Sequence, residues 1–411
     1  MELPVGMGEM KKANTQNTIL AIIRKYGELS KLDIKRMSKY SMSTVLSVID
    51  ELERCRYIRY SRTGKSSIGR KPTLYTLNAQ AGYFIGVEFS AEEIHCVLLD
   101  FTLKPVNAHS DVIDLPEINA QSVIGLVCDQ IRGIAAPLGA GWQKQIIGLG
   151  VGSPGYVDEQ GKSLYYAYIR DWADIDLKTV LEKEFHIPVH VDNNINLLAL
   201  AHKDVSGKDQ NFLLLSIRTG IRFGCVLNNS IYRGTRNLSG EIGHTTVYPG
   251  SRQCRCGRKG CLESEISNYA VMDKITEGIS YGRFTHIWEM AGQQTRNITI
   301  SLFARSVLAG HRDSMELFDE ICSYLGGMLA QSVNLFNPSL IYLRGPLTEV
   351  GSLLVDKVNE VIARHSYSAS LEGFELRLSP FGVDAGAIGA AYYAMDREFQ
   401  FVSIPDSVPG L

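Results

Sequence analysis

Residues 243–263 read GHTTVYPGSRQCRCGRKGCLE. His244 is followed after nine residues by Cys254, then by Cys256 and Cys261. One imidazole and three thiolates within 18 positions supply the four ligands of a tetrahedral zinc site. Gly250, Gly257 and Gly260 provide turns that bring them together. The competing reading, a set of reduced thiols, leaves a stretch without apolar periodicity little else to hold it. Four protein ligands leave no open coordination position, which predicts a structural Zn2+.

Around this stretch lie 411 residues, more than one core of roughly 250–300 residues accommodates. Hydrophobic content of 45% and charged content of 21% describe a soluble globular chain and exclude extensive disorder. Eight cysteines over this length do not form a disulfide framework. The net charge of −2 hides an asymmetry: residues 1–77 hold 15 Lys/Arg against 7 Asp/Glu, and the remainder is acidic. A basic head on an acidic body predicts a nucleic-acid-binding module. The first 18 residues contain no apolar run of signal-peptide length. The long uncharged stretch Ile321–Leu343 is interrupted by Asn334, Asn337 and Pro338, which predicts a buried helix, a turn and a strand, with no membrane span. A cytoplasmic location follows.

Within residues 1–78, Ile19, Ile22 and Ile23 share a helical face that ends at Gly27. A short helix over Ser30–Met37 has Ser30 as N-cap and Asp33 as its reciprocal partner. A third helix, Met42–Arg54, is expected to bury Val45, Leu46, Val48, Ile49 and Leu52. It exposes Ser41, Ser43, Thr44 and Ser47 where a recognition helix meets base edges. Tyr57–Tyr60 and Leu74–Leu77 alternate like paired strands around RTGKSSIGRKP, predicting a wing whose Gly69, Arg70 and Lys71 reach the DNA backbone or minor groove. A three-helix protein-interaction domain with a solvated basic face is the alternative.

From Tyr83 onward, strands YFIGVEFS and IHCVLLDF, a helix at Gln121–Leu138 and a buried strand IIGLGVGSPG appear in order. The order restarts at NFLLLSI and GCVLNN and closes with a long helix at Met315–Phe336, strand SLIYLRG and a Gly/Ala-rich helix. Two copies of one unit predict an α/β body of two lobes with a ligand cleft.

GEIGH (240–244) followed by CxCGxxGCxE (254–263) resembles the signature of ROK proteins, which comprise repressors, unassigned reading frames and sugar kinases. The resemblance covers essentially the whole chain, and the N-terminal head places it beside the repressor branch. It implies a winged helix-turn-helix (1–78) ahead of an actin-like, ribonuclease-H-like body. The first lobe then spans 82–195, with a helix at about 385–411 returning to it; the second spans 196–384 and holds the zinc loop 244–261.

A kinase of this family carries Asp-x-Gly-Gly-Thr after its first strand; the matching residues here are Glu88-Phe89-Ser90-Ala91-Glu92. The second phosphate loop, Gly-Thr-Gly-x-Gly-x-Gly, corresponds to Arg218–Gly224 and keeps Thr219, Gly220 and Gly224. The family's general base lies in Glu-Asn-Asp-Ala-Asn, matched by Asp192-Asn193-Asn194-Ile195-Asn196, so the base has become Asn194. An amide takes no proton near neutral pH. Read as a strand, Asp192 would lie about 6.5–7 Å from Asn194, too far to substitute for it. No catalytic residue is therefore assigned.

The resemblance carries sugar contacts onto Ser153, Gly155, Asn193, Asn194, Glu241, His244 and Glu263, with structural capping of the zinc loop as the alternative for the two glutamates. It implies a sugar-responsive regulator, binding operator DNA as a homodimer or homotetramer with a monosaccharide as effector. An active kinase with a DNA-binding head, and a repressor controlled by protein sequestration, remain the alternatives.

Overall fold

The computed structural model describes residues 10–63, 72–113, 118–166, 168–203 and 211–401. The chain opens with three helices, α1 (Met10–Tyr26), α2 (Lys31–Ser38) and α3 (Met42–Arg54). Ser30 caps α2 in a reciprocal box: its hydroxyl accepts from Asp33 N at 3.2 Å, and Asp33 Oδ2 accepts from Ser30 N at 3.0 Å. Lys39, left-handed at φ 60°, turns the chain toward Ser41, which caps α3 by accepting from Thr44 N at 3.1 Å. Helix α3 buries Val45, Val48, Ile49 and Leu52, but Leu46 is 40% exposed. The expected burial of Leu46 fails because the inward stripe of a single-sided helix is about 100° wide, and Leu46 falls outside it beside Ser47.

Strands Ile58–Thr63 and Thr73–Leu77 pair antiparallel, and Leu29–Ser30 adds to the second of them. The turn between the two longer strands, with Gly69, Arg70 and Lys71, lies outside the described residues.

The chain divides into two units, one of Met1–His202 with Val383–Leu411, the other of Lys203–Gly382. Among the described residues each holds a five-stranded sheet, and both are connected in the same way. In the first, Tyr83–Phe89, Glu93–Asp100 and Pro105–Val112 form an antiparallel meander; Ile146–Ser153 and Val189–Asn193 extend it in parallel on the other side. In the second, Phe212–Ile217, Ile221–Leu227 and Ser230–Ile231 meander, and Leu340–Arg344 and Glu375–Leu378 are the parallel additions. The duplication expected from the strand order is thus present in the hydrogen bonding itself.

In the first unit, helix Ala120–Ala135 covers one sheet face with Val123, Val127 and Ile131. The last helix, Ala385–Phe399, lies on the other face at backbone contact: a Cβ on Gly86 would sit 1.9 Å from Ala387 O, and one on Gly150 1.8 Å from Ala390 O. These strand glycines are packing devices. The three-helix head shares this side: Ile19, Ile49 and Ile58 join Phe84, Phe101, Ala391 and Phe399 in one core. Tyr57 stacks on Phe101 at 5.2 Å, and Arg24 pairs with Asp396 at 3.0 Å.

Helix Asn194–Lys203 belongs with the first unit, so the division falls after His202 and not after 195 as the sequence suggested. A Cβ on Gly389 would lie 1.8 Å from Leu197 O, which shows how closely the two helices meet. The last helix ends at Phe399, where the sequence placed it out to about 411; Gln400 is left-handed at φ 45°, and residues 402–411 lie outside the described residues.

In the second unit, the 25-residue helix Arg312–Phe336 buries Phe318, Ile321, Leu325 and Leu329. It stops at Asn337, left-handed at φ 43°, before strand Leu340–Arg344, as expected for the uncharged stretch. Among the described residues no helix is long and apolar enough to cross a membrane.

Candidate functional site

The segment GEIGH is shaped by the strand beneath it. A Cβ on Gly240 would lie 2.0 Å from Phe223 O, and one on Gly243 2.4 Å from Ile221 O. Both positions therefore need glycine, and Phe223 N–H donates to Gly240 O at 2.8 Å. Glu241 and His244 are held in register with strand Ile221–Leu227 as a result. The loop that follows folds on itself through bridges between Thr246 and Cys261 and between Gln253 and Lys259. Gly260, at φ 78°, would place a Cβ 2.1 Å from Tyr248 O and so admits no side chain.

These constraints bring His244, Cys254, Cys256 and Cys261 together, with their ligand atoms all within 4.8 Å of one another. Cys254 Sγ lies 3.7 Å from His244 Nδ1, and Cys256 Sγ 3.7 Å from Cys261 Sγ. A tetrahedron with metal–sulfur bonds of about 2.3 Å has edges of about 3.8 Å, so the donor set fits a bound metal. Burial opposes ionisation of all three thiols; it pushes Cys254 up to about 12 and raises Cys261, whereas the backbone and side chain of Arg258 bring Cys256 down to about 7, so Cys256 is the thiol of the three that ionises most readily. Arg258 also donates to His244 O at 2.7 Å.

With Nδ1 turned to the thiols, His244 Nε2 stands 4.0 Å from Glu241 Oε2. The two ring nitrogens thus face different groups, Nδ1 the thiols and Nε2 the Glu241 carboxylate. Glu241 Oε1 pairs with Arg222 at 2.5 Å. Glu263 is 6% exposed and accepts from Ile221 N at 3.1 Å. Its burial raises its pKa, and the hydrogen bond from Ile221 N opposes that rise.

The first unit treats its predicted residues differently. Ser153 is fully buried and donates to Ser163 Oγ at 3.1 Å; Trp172 Nε1 donates to the same oxygen at 2.7 Å. Ser153 therefore shapes the turn and presents no hydroxyl at the surface of its unit. Gly155, at φ 75°, would place a Cβ 2.1 Å from Tyr165 O. Asn193, 1% exposed, uses both ends of its amide: Nδ2 donates to Gly155 O at 2.6 Å, and Oδ1 accepts from Ile195 N at 3.0 Å.

That second bond is a helix cap, and it corrects the placement of Asn194. The strand ends at Asn193 and Asn194 opens helix Asn194–Lys203, so Asn194 and Asp192 do not share a strand face. Asp192 is nevertheless committed, its Oδ1 accepting from Asn193 N at 2.6 Å and Asn196 Nδ2 at 3.0 Å. Asn194 is half-buried, and its amide makes no hydrogen bond among the described residues. Glu88, 4% exposed, lies against the last helix, where a Cβ on Gly386 would fall 2.2 Å from its Oε2. The first strand thus ends in a buried carboxylate with no phosphate-cradling glycines.

In the head, Ser41 Oγ meets Ser43 Oγ at 2.8 Å and Thr44 Oγ1 at 2.7 Å, while Ser47 and Leu46 are exposed. Sequence reasoning missed Leu46 as a surface residue and Arg222 as the partner of Glu241. The helical spacing of Val45, Val48, Ile49 and Leu52 could have exposed the first error.

The ROK family model matches residues 85–397. The chain belongs to the ROK family. A xylose repressor of Bacillus spizizenii is 28% identical over 402 residues, covering 96% of this chain and 98% of its own. A glucokinase of Halalkalibacterium halodurans is 29% identical over 327 residues, covering 77% of this chain and 96% of its own. Among solved structures, a ROK family transcriptional regulator described as a homologue of the Escherichia coli MLC protein superposes with a TM-score of 0.81 at 23% identity, covering 95% of this chain and 97% of its own. The ROK region begins at residue 85, so the three-helix head lies outside it.

Proposed function

We propose that this ROK chain is a sugar-responsive DNA-binding transcriptional regulator, a repressor of carbohydrate uptake or catabolism genes, whose kinase-like body is not an enzyme. Residues 10–77 act as a winged helix-turn-helix, with α3 entering the major groove. Ser43 and Ser47 face the base edges there, and Leu46 is exposed to contact a thymine methyl. Gly69, Arg70 and Lys71 form the wing. A single head reads one half-site, so the protein works as a homodimer or homotetramer in the cytoplasm.

The observation that carries the reading is Asn194. It stands where a sugar kinase requires a proton acceptor, and its amide is uncommitted among the described residues. It keeps the ability to bind a hydroxyl and loses the ability to take its proton. In the second unit Glu241 and Glu263 are the sugar-gripping carboxylates; in the first unit Asn194 is the hydroxyl contact, and Asn193, Gly155 and Ser153 build the turn beside it. His244 Nδ1 and the three cysteines bind a structural Zn2+, leaving the His244 Nε2–H to donate to a sugar hydroxyl that in turn donates to Glu241. Further support comes from coverage: the repressor relative spans nearly all of this chain, whereas the glucokinase relative spans about three quarters of it.

The test is a thermal-shift titration of zinc-loaded protein with D-xylose, D-glucose, N-acetyl-D-glucosamine, their phosphates and ATP–magnesium. Binding to the folded state raises Tm with ligand concentration. A rise with a sugar and none with ATP–magnesium is expected; a rise with the nucleotide would contradict the loss of kinase function. Restoring a carboxylate with Asn194→Asp should leave phosphoryl transfer undetectable, because Glu88 still closes the first phosphate loop.

A further inference from the structure

We propose that Arg222 is a positioning residue for the effector, holding Glu241 in the orientation in which it grips a neutral sugar hydroxyl pair. The inference rests on the reading of Glu241 as a sugar contact. Arg222 lies in the stretch matching a kinase's second phosphate loop, where the family pattern prefers glycine and a cation suggests an anionic ligand. The structure turns that cation inward: its Nη2 lies 2.5 Å from Glu241 Oε1, with the two side chains 17% and 25% exposed.

The register behind this pair is fixed on both sides. Arg222 sits between Ile221 and Phe223, the residues whose carbonyls crowd Gly243 and Gly240. Glu241 lies between those same glycines, so guanidinium and carboxylate face each other where the GEIGH loop packs at contact distance on strand Ile221–Leu227. One carboxylate oxygen is thereby occupied by Arg222, and Oε2 is left facing His244 Nε2 at 4.0 Å, a gap that one hydroxyl can bridge. The neighbouring Ile221 N–H is committed in the same way, to Glu263 Oε2. The stretch that would cradle phosphate in a kinase is therefore spent on fixing the two sugar carboxylates.

The pairing has a consequence for ligand class. With its charge matched by Glu241, Arg222 does not act as a phosphate receptor, and the second unit recognises an uncharged sugar through hydroxyl contacts.

Isothermal titration of full-length, zinc-loaded protein with D-xylose, D-glucose and N-acetyl-D-glucosamine, alongside their phosphates, tests this for the wild type, Arg222→Ala, Arg222→Lys, Glu241→Gln and the double variant Arg222→Ala/Glu241→Gln. For the neutral sugar that the wild type binds, Arg222→Ala should weaken affinity about 10- to 100-fold, Arg222→Lys should recover part of it, and the double variant should bind no worse than Glu241→Gln alone. Zinc content should be unchanged in all four variants. Wild-type affinity in Arg222→Ala, or additive losses in the double variant, would overturn the positioning role while leaving the sugar site standing. Loss confined to a sugar phosphate would overturn it by making Arg222 a phosphate contact. No binding of any sugar by the wild type would remove the Glu241 reading and this inference together.

Discussion

Each unit carries residues that match sugar contacts in the family pattern, yet the two units use them in opposite ways. In the second unit, glycines press GEIGH against a strand and a four-ligand cluster pins the loop, so Glu241 and Glu263 are held by groups other than the sugar. In the first unit, the Ser153 hydroxyl bonds to the turn and both ends of the Asn193 amide bond to the turn and the helix cap, whereas the Asn194 amide makes no hydrogen bond among the described residues. A residue's place in a family pattern does not distinguish a group that touches ligand from one that builds the wall. Its hydrogen-bond ledger does.

The largest effect should come from removing one donor of the proposed zinc site in the second unit. Cys261→Ser removes a ligand and should destabilise this unit by about 4 kcal/mol or more, with zinc lost on elemental analysis. Unchanged melting and metal content would mean that the loop holds itself and that the contrast between the units is false.

Next comes the adjacent pair of asparagines. Asn193→Ala strands Gly155 O and Ile195 N and should cost about 2–4 kcal/mol in urea unfolding. Asn194→Ala should change stability by no more than about 0.5 kcal/mol and yet weaken sugar binding about 5-fold. Equal effects in both measurements would erase the distinction between wall and contact.

The head sharpens the same contrast on a smaller scale. Ser41→Ala removes the cap of α3 and should cost about 1 kcal/mol of stability. Leu46→Ala should leave stability within about 0.5 kcal/mol and lower affinity for operator duplex, as gel shift would show. A large loss of stability in Leu46→Ala would return it to the core.

Much of this was legible in the sequence because it was written locally. The spacing of His244, Cys254, Cys256 and Cys261 named the four side chains that the fold brings together, and Ser30 with Asp33 named a capping box three residues wide. The repeated strand order announced two sheets that share one connection pattern. What sequence reading missed depends on contacts between distant segments. Arg222 finds Glu241 only because two glycines bring their backbones together, and Ser153 is consumed by Ser163 and Trp172 across a turn. Asn194 was placed on a strand because the cap that ends that strand belongs to the preceding side chain. The exposure of Leu46 was available from helical geometry, but a leucine in an apolar helix reads as core by type alone.

The central claim, a sugar site kept for signalling after its chemistry was lost, is tested most directly by operator binding. Fluorescence anisotropy would follow zinc-loaded protein on a duplex selected by the protein from a random pool, with increasing D-xylose, D-glucose or N-acetyl-D-glucosamine at fixed salt. A saturable sugar-dependent change in operator affinity, unaffected by ATP–magnesium and absent in Glu241→Gln, is the predicted result. A sugar that binds saturably while operator affinity stays constant would contradict the account.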